Sequence, residues 1–260
     1  MHMIDLHLHY DIDNALALAK YIEDKSISLF SISNHDKITI PPKNTVHHIF
    51  ASEFSTYHSK TNQGLHILGY FSKPIEITEH QEIIEAAFNQ RSEKFISIIN
   101  HEVIPISLED LGFIQDTIFY ELMPLVQSIS TKTNIPTDRI YKNYVKGRGL
   151  SAYLPDTNRV TSYIKDLIGI AILAHPLAYK HEILSYTNEL GIDGIECYCP
   201  SSKGSEKKLE EFANQNDLLI TGGSDYHFSN PKKTNYDYTF PEIQIEKFLK
   251  NYENRFTHTQ

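Results

Sequence analysis

The chain has 260 residues, of which 40% are hydrophobic and 22% are charged, a composition that suits one large globular domain or a barrel with a modest insertion. Its net charge of -9 argues against bulk attraction to nucleic acid but allows an anionic substrate, because bound cations can invert the local field. No apolar run approaches the roughly 20 residues that span a bilayer, and the first residues lack the pattern of a secretory signal, so no membrane partner is expected.

The chain opens with a short apolar strand over residues 4–9 that ends in the pair His7 and His9. Side chains two apart on a strand point to the same face, so these two imidazoles are predicted to project together as half of a metal site. Four later stretches repeat the design of an apolar strand followed by His, Asp or Glu; they span 29–36, 46–53, 170–176 and 218–227.

Asp11 and Asp13 follow the first histidine pair and precede a helix predicted from about residue 15 to 24. Asp13 can cap that helix, as aspartates commonly do. Either aspartate can instead reach back towards the histidine pair. The residues alone leave both interpretations open.

A second strand, 29–33, leads to His35 and Asp36, and the helix between the two strands indicates a parallel βαβ unit. His35 is therefore expected at the same end of the sheet as the first histidine pair, and Asp36 is better placed to orient a histidine than to bind metal. Glu53 closes the next apolar run and is interpreted as a carboxylate at a strand end. His66, on a strand that forms a hairpin with the strand of Glu53, is ambiguous alone but can complete a carboxylate–imidazole site beside it.

Residues 78–164 change character, with helical patterns and no strand-end ligands, and are predicted to form a helical insertion. The parts of the barrel are therefore predicted as residues 1–77 and 165–260. Within the insertion, Arg91, Lys146 and Arg148 are candidates for binding an anionic substrate, although such residues are more often solvated charges.

The strand pattern resumes at 170–173 and ends in His175, where Pro176 stops the strand. Helices and strands then alternate up to residues 218–221, after which two glycines allow a tight turn. Asp225 and His227 follow that turn and are expected to point to one side. The final amphipathic helix, from residue 241 on, is predicted to close the barrel.

The two cysteines, Cys197 and Cys199, stand two apart in an apolar strand and cannot build a disulfide framework. A reducing, cytoplasmic location is the simplest interpretation. A C-x-C pair can bind metal, but no second cysteine pair is present, so structural thiols are favoured.

The candidate ligands divide into two predicted sets. One set is His7, His9, Glu53 and Asp225; the other is Asp13 or Asp11 with His35, His175 and His227. Nitrogen and carboxylate ligands without thiolate suit zinc, manganese or iron, and a bridging carboxylate such as Glu53 can hold two ions roughly 3.5–4 Å apart. No GxSxG, GxxxxGK[ST] or GxGxxG motif is present, which disfavours serine hydrolase, nucleoside triphosphate and dinucleotide chemistry.

Seven stretches in this order, DLHLH, SNHD, the strand ending at Glu53, HILGY, LAHP, GIECYCP and GGSDYH, resemble the motifs of the PHP (polymerase and histidinol phosphatase) family. The resemblance covers about residues 4–70 and 165–230 and is closest to the stand-alone metal-dependent phosphoesterase branch. It implies an α/β fold, a distorted (βα)7 barrel of TIM-like type with a helical insertion. It also implies two or three divalent ions (Mn, Zn or Fe) and phosphoester hydrolysis by a metal-bound hydroxide. By this resemblance the metal ligands are the two sets above plus His66, for a third ion shared with Glu53, and Glu53, Asp225 and His227 are predicted as catalytic.

The chain departs from the family pattern at three places. Asn34 stands where the family usually has aspartate, which predicts a changed contact to a metal ligand and not the loss of a ligand itself. The usual Ser-Asp-Gly is replaced by residues 11–14, among which Asp13 is favoured as ligand because its spacing is nearest to that of the family. The inserted-helix histidine of trinuclear members has no counterpart in residues 137–144, so the number of ions stays at two or three.

The function predicted from these features is hydrolysis of a small phosphorylated compound, either a phosphomonoester or a nucleotide or short oligonucleotide phosphate. Two alternatives use the same residues. One is a metal-dependent hydrolase of C–N bonds, similar to amidohydrolases, and the other is a metal-binding protein without catalysis. The sequence makes no prediction of the oligomeric state.

Overall fold

The computed structural model describes residues 3–10, 15–42, 45, 47–112, 122–227 and 240–257. Eight strands lie in this part of the chain: β1 (Met3–His9), β2 (Ile27–Ile32), β3 (His47–His58), β4 (Gln63–Phe71), β5 (Ile170–Leu173), β6 (Gly194–Tyr198), β7 (Leu219–Gly222) and β8 (Tyr226–His227). The α-helices described are α1 (Ala15–Asp24), α2 (Thr78–Glu102), α3 (Met123–Thr133), α4 (Thr137–Ile140), α5 (Thr157–Asp166), α6 (Glu206–Gln215) and α7 (Glu242–Thr257). Shorter helical segments are a π-helical turn at Tyr141–Val145 and 3-10 turns at Glu109–Leu111, Leu150–Tyr153, Pro176–Ala178, His181–Tyr186 and Pro200–Ser202.

The strands form one sheet in the order β7-β6-β5-β4-β3-β2-β1-β8. The pairs β1/β2, β2/β3, β5/β6, β6/β7 and β1/β8 are parallel, whereas β4/β5 is antiparallel. The strands at the two ends of this order, β7 and β8, are joined by residues 223–225 alone, so the sheet curls until its ends meet. The mixed α/β class predicted from the sequence is confirmed, and the count of seven strand–helix repeats stays a prediction.

Strand β1 is buried on both faces, which explains why it is apolar apart from its functional residues. Leu8 packs against Leu18 and Ile22 of α1 and against Phe30 of β2, and all four side chains are at least 92% buried. Every residue from Asp5 to Tyr10 is buried. Polar side chains in this strand therefore have no access to bulk water and must find partners inside the protein.

The chain divides into two compact units. The first comprises Met1–Ser55, Leu65–Ile77 and Thr157–Gln260, and the second comprises Thr56–Gly64 and Thr78–Asp156. The first unit carries most of the sheet and a core dominated by Ile, Leu and aromatic side chains of β3 to β7. The second has a core of its own, formed by apolar residues of α2 and α3 with others between residues 140 and 154.

Helix α2 is the longest described helix and buries His80, Ile84, Phe88 and Phe95 among other side chains. None of the helices in the described residues combines the length and the apolar character that crossing a membrane requires.

Candidate metal centre

Strand β1 presents its two histidines inside the first unit. The side chain of His7 is fully buried and that of His9 is 8% exposed, and their ring centroids are 5.2 Å apart. The His7 backbone N–H donates at 3.2 Å to the carboxylate of Asp5, a buried acid of the same strand. The two rings therefore lie side by side in a dry environment.

Glu53 lies at the centre of the histidine cluster. Its Oε1 is 2.8 Å from His66 Nδ1 and 2.9 Å from His175 Nε2. Its Oε2 is 3.2 Å from His9 Nε2, 3.2 Å from His35 Nδ1 and 3.4 Å from His7 Nε2. Five imidazoles from four different parts of the sheet thus surround one carboxylate that is only 1% exposed.

The prediction that Glu53 ends a strand is wrong, because β3 continues past it to His58. Strand β3 lies beside β4 in the sheet, and in its outer half Tyr57 also pairs with Asp156 in an isolated parallel bridge within the second unit. At Glu53 itself, β3 is paired with the chain just after β2: the Glu53 N–H donates to the Asn34 carbonyl, and the Asp36 N–H donates to the Glu53 carbonyl. It is β2 that ends here, and this places His35 next to Glu53.

Asp225 and His227 reach the cluster from the turn that closes the sheet. The Asp225 N–H donates to the His7 carbonyl at 2.8 Å, and Asp225 Oδ1 lies 3.2 Å from His227 Nε2 and 3.3 Å from His9 Nε2. Gly223 makes the approach possible, because a Cβ there would lie 2.3 Å from the Cβ of His7. Asp225 and His227, with side chains 32% and 30% exposed, are among the more open members together with His66 at 34%.

The electrostatics of the cluster are governed by burial and by the mutual attraction of the acids and imidazoles. Burial would raise the pKa of Glu53, but His66, His35 and His7 outweigh it and hold that pKa well below its usual value. Burial would lower the pKa of His7, but the carboxylates of Glu196 and Glu53 raise it well above the ordinary value. For His35 burial prevails and lowers the pKa to about 3.

Burial and nearby charges also have opposite effects on the pKa values of His9, His66 and Asp225. Burial opposes the charged form of His9 and of His66, yet the nearby carboxylates raise the pKa of both rings. Burial would raise the pKa of Asp225, but the nearby rings of His227 and His9 lower it far below its usual range. The acids are therefore ionised at neutral pH and available as ligands.

The donor atoms present fit divalent metal ions. His7 Nε2, His9 Nε2 and His35 Nδ1 are buried and have no hydrogen-bond partner, although each lies within 3.4 Å of Glu53 Oε2. Ligand atoms within 4.8 Å of one another form three groups: His7, His9 and Glu53; His9, His35 and His227; and His35, Glu53 and His66. Buried nitrogens without partners beside carboxylates are what a metal would satisfy, and this donor set suits zinc, manganese or iron.

The grouping differs from the predicted division into two sets: His9, predicted in the first set, also lies with His35 and His227 of the second. His175 was placed with His35 and His227, but its Nε2 lies on the same Glu53 oxygen as His66. Asp11 and Asp13 lie outside the described residues, so the aspartate ligand stays a prediction.

The three basic residues predicted to bind substrate all belong to the second unit. Arg148 forms an ion pair with Glu102. Arg91 lies over the ring of Phe88, 4.6 Å from its centroid, and Lys146 is exposed. Their role in substrate binding stays a prediction.

Asn34, the departure from the family pattern, does not touch a candidate ligand through its side chain. Its Oδ1 accepts from the Tyr10 N–H at 2.8 Å, and its Nδ2 donates to the Tyr10 carbonyl at 2.8 Å and to Thr39 Oγ1 at 2.7 Å. The side chain of an aspartate has no N–H group and could not donate these two hydrogen bonds. The side-chain amide of Asn34 therefore holds the backbone of Tyr10, the residue that follows His9.

Sequence reasoning missed three residues that contact the cluster. Glu196 lies 3.1 Å from His7 Nδ1, Asp5 accepts from the His7 N–H, and the Tyr179 hydroxyl accepts from the His66 N–H at 2.8 Å. For the two acids a signal was present, since each interrupts a buried apolar strand, where an acid needs a partner. For Tyr179, in an irregular segment, the sequence carried no such signal.

The two cysteines are free and fully buried. Cys199 Sγ is 3.1 Å from Ser202 Oγ, and burial raises the pKa of Cys199 to about 12 and raises that of Cys197 as well. Among the described residues neither thiol joins a group of metal ligands, in agreement with structural thiols.

Comparison with known proteins finds solved structures with a similar fold. No protein-family model and no curated protein sequence matches the chain. One similar solved structure is that of a protein from Bifidobacterium adolescentis assigned as a metal-dependent phosphoesterase, with a TM-score of 0.69, 16% identity and coverage of 95% of this chain and 96% of the other. Another is an amidohydrolase from Chromobacterium violaceum with bound sulfate and no metal, with a TM-score of 0.72, 17% identity and 96% coverage of each chain. At these identities the likeness shows the fold.

Proposed function

We propose that this protein is a metal-dependent phosphoesterase of the PHP family, in its stand-alone branch, and that it hydrolyses a small phosphorylated compound. The observation that carries the proposal is the convergence of His7, His9, His35, His66, His175 and His227 on Glu53 and Asp225. Burying so many ionisable groups together is costly for a fold, and a catalytic site is the usual reason for it.

In this proposal Glu53 and the histidines around it would hold two divalent ions, and Glu53 with His66 would hold a third. Bound divalent ions would supply an activated water and positive charge at the phosphoryl group. Asp225 and His227, each about one third exposed, are proposed to contact the substrate and to transfer protons there.

A phosphorylated substrate is supported by both structural neighbours. One is assigned as a phosphoesterase, and the other holds sulfate, a tetrahedral anion similar to phosphate. Arg91, Lys146 and Arg148 are proposed to bind the anionic substrate, which extends to nucleotides and short oligonucleotides. The two unpaired cysteines are the reason for including a cytoplasmic location in this proposal.

The proposal is tested by elemental analysis of protein purified without added metal, followed by hydrolysis of nitrophenyl phosphate with Mn²⁺, Zn²⁺ or Fe²⁺. A panel of phosphoesters that includes nucleotide 3',5'-bisphosphates then defines the substrate class. We expect metal-stimulated hydrolysis that is lost in H7A and retained in H101A, which removes an exposed histidine of the second unit. Equal activity of the two variants, or no turnover across the panel by metal-loaded protein, would contradict the proposal.

A second candidate is hydrolysis of a C–N bond at the same site, because the neighbour with the TM-score of 0.72 is named an amidohydrolase. This reaction predicts release of ammonia or an amine from an amide or amidine panel, without turnover of phosphoesters. Running both panels on one metal-loaded preparation distinguishes the two candidates.

A further inference from the structure

Glu196 is a fully buried carboxylate in β6 whose two oxygens hold two different parts of the cluster. Its Oε1 lies 3.1 Å from His7 Nδ1, and its Oε2 accepts from the His175 backbone N–H at 2.8 Å. Neither the sequence motifs nor the proposed ligand sets assign it a role. It contacts two candidate ligands and is a member of none of the ligand groups found in the described residues.

The first contact determines which nitrogen of His7 is available. When Nδ1–H donates to Glu196, the lone pair of the neutral ring lies on Nε2. That atom is the one that is buried without a hydrogen-bond partner, 3.4 Å from Glu53 Oε2 and 3.7 Å from Asp225 Oδ1. Glu196 thus directs the unprotonated nitrogen of His7, Nε2, towards the centre of the cluster.

The second contact holds the backbone from which His175 projects. His175 has a φ of 31°, in the left-handed region that residues with a Cβ rarely adopt. Its N–H bond to Glu196 fixes this conformation, and the ring then places Nε2 at 2.9 Å from Glu53 Oε1. The two contacts of one carboxylate therefore determine the positions of two ligands that are 168 residues apart in the chain, His7 and His175.

We infer that Glu196 is a positioning residue of the metal centre, which sets the tautomer of His7 and the backbone of His175 so that both rings point at Glu53. The inference rests on the proposed function only in requiring that the cluster binds divalent ions. Carboxylates behind ligating histidines typically contribute 10- to 100-fold to metal affinity.

The test is metal affinity rather than activity. Mn²⁺ and Zn²⁺ dissociation constants are measured by competition with a chromophoric chelator for wild type, E196Q and E196D. The matched control is D193N, because Asp193 precedes the same strand and likewise accepts a backbone N–H, from Ala171 at 2.8 Å, while pairing with Arg255 instead of a ligand.

We expect E196Q to bind about 10- to 100-fold more weakly, since a glutamine can accept only one of the two bonds and turns an N–H₂ group towards the other donor. E196D keeps the charge but shortens the reach, so it is expected to lose affinity too, and it decides the matter if E196Q does not fold. D193N is expected to lower the melting temperature and to keep wild-type affinity. The visible spectrum of bound Co²⁺ should change in both Glu196 variants and not in D193N.

Wild-type affinity and an unchanged Co²⁺ spectrum in a folded Glu196 variant would overturn the inference, as would equal losses in D193N. Phosphoester turnover of the wild type, measured in parallel, separates this result from the proposed function. A wild type that binds metal without turnover refutes the proposed function, and the measured affinities of the variants then decide the positioning role of Glu196. A wild type that binds no divalent ion refutes both.

Discussion

The two units differ in how deeply their charged residues are buried. In the first unit, Glu53 is 1% exposed and shares its oxygens among five imidazoles that come from distant parts of the chain. In the second unit, Arg148 and Glu102 form an ion pair with both side chains about one third exposed. A buried convergent cluster costs desolvation that a fold alone does not require, whereas an exposed pair contributes little and is tolerated anywhere. On this contrast rests our proposal that the chemistry belongs to the first unit, and each prediction below tests it.

The largest effect is expected from removing the charge that the histidines share. We expect E53Q to lower metal-stimulated hydrolysis by on the order of 10²- to 10³-fold, since a preorganised charged group of the site is lost. Steady-state kinetics together with metal content by elemental analysis measure this effect.

E102Q is the matched control, with the same change made in the exposed ion pair. It should leave activity within about twofold and stability within about 0.5 kcal/mol of wild type. If E53Q and E102Q lose activity equally, burial and convergence do not mark the functional site, and the contrast fails.

A smaller effect, on stability and on the site together, is expected from adding one methyl group beside His7. A Cβ at Gly223 would lie 2.3 Å from His7 Cβ and 2.4 Å from His7 N, so G223A must push the turn that carries Asp225 away from β1. We expect G223A to cost up to about 3 kcal/mol of unfolding free energy, as overpacking of a core does, and to weaken metal binding. Chemical denaturation and chelator competition measure the two effects.

Gly147 in the second unit gives the comparison for this variant. Its φ of 74° disfavours any side chain, but a Cβ there meets no atom within 4 Å. G147A should therefore cost about 1 kcal/mol and leave metal affinity unchanged. A G223A protein that keeps wild-type affinity would show that the close approach of this turn is not needed for the site.

The sequence predicted the members of the cluster better than their arrangement. Histidines and acids that follow or interrupt short apolar strands are visible in the chain, because a buried strand has few other reasons to contain them. Helix α1 and strand β5 were predicted with their observed limits, because Ala, Leu and β-branched residues fill their interiors.

What the sequence could not predict depends on contacts between distant residues. Glu53 is in the middle of β3, not at its end: the strand continues to His58, and beyond Glu53 its residue Tyr57 forms a bridge with Asp156, 99 residues later. The position of His175 beside His66 depends on the antiparallel pairing of β4 with β5, in which Ile67 lies opposite Leu173. Such pairings across the insertion have no local signal.

A third effect tests whether the second unit takes part in binding substrate. If Arg148 binds the phosphorylated substrate as proposed, R148A should raise KM about tenfold, which corresponds to about 1.4 kcal/mol, and leave metal content unchanged. Its effect on stability should stay below about 1 kcal/mol, because the ion pair with Glu102 is partly exposed. R139A, which removes an exposed arginine of α4, is the control. Unchanged KM in R148A would remove Arg148 from the proposed substrate-binding residues.

The smallest effect is expected from removing the two thiols. They lie in the first unit and are buried like the cluster, but no function is proposed for them. Cys197 and Cys199 are as deeply buried as Glu53, so burial alone would predict equal importance. Their raised pKa values, however, keep them as neutral thiols, and a thiolate is the form that binds metal or reacts. C197A/C199A should therefore keep metal content and activity within about twofold of wild type and lose only about 1–2 kcal/mol of stability through lost packing. A thiol reagent should label native wild type only as fast as it unfolds. Loss of metal from the double variant would instead make the thiols part of the centre, and convergence on Glu53 would no longer define which buried groups carry the chemistry.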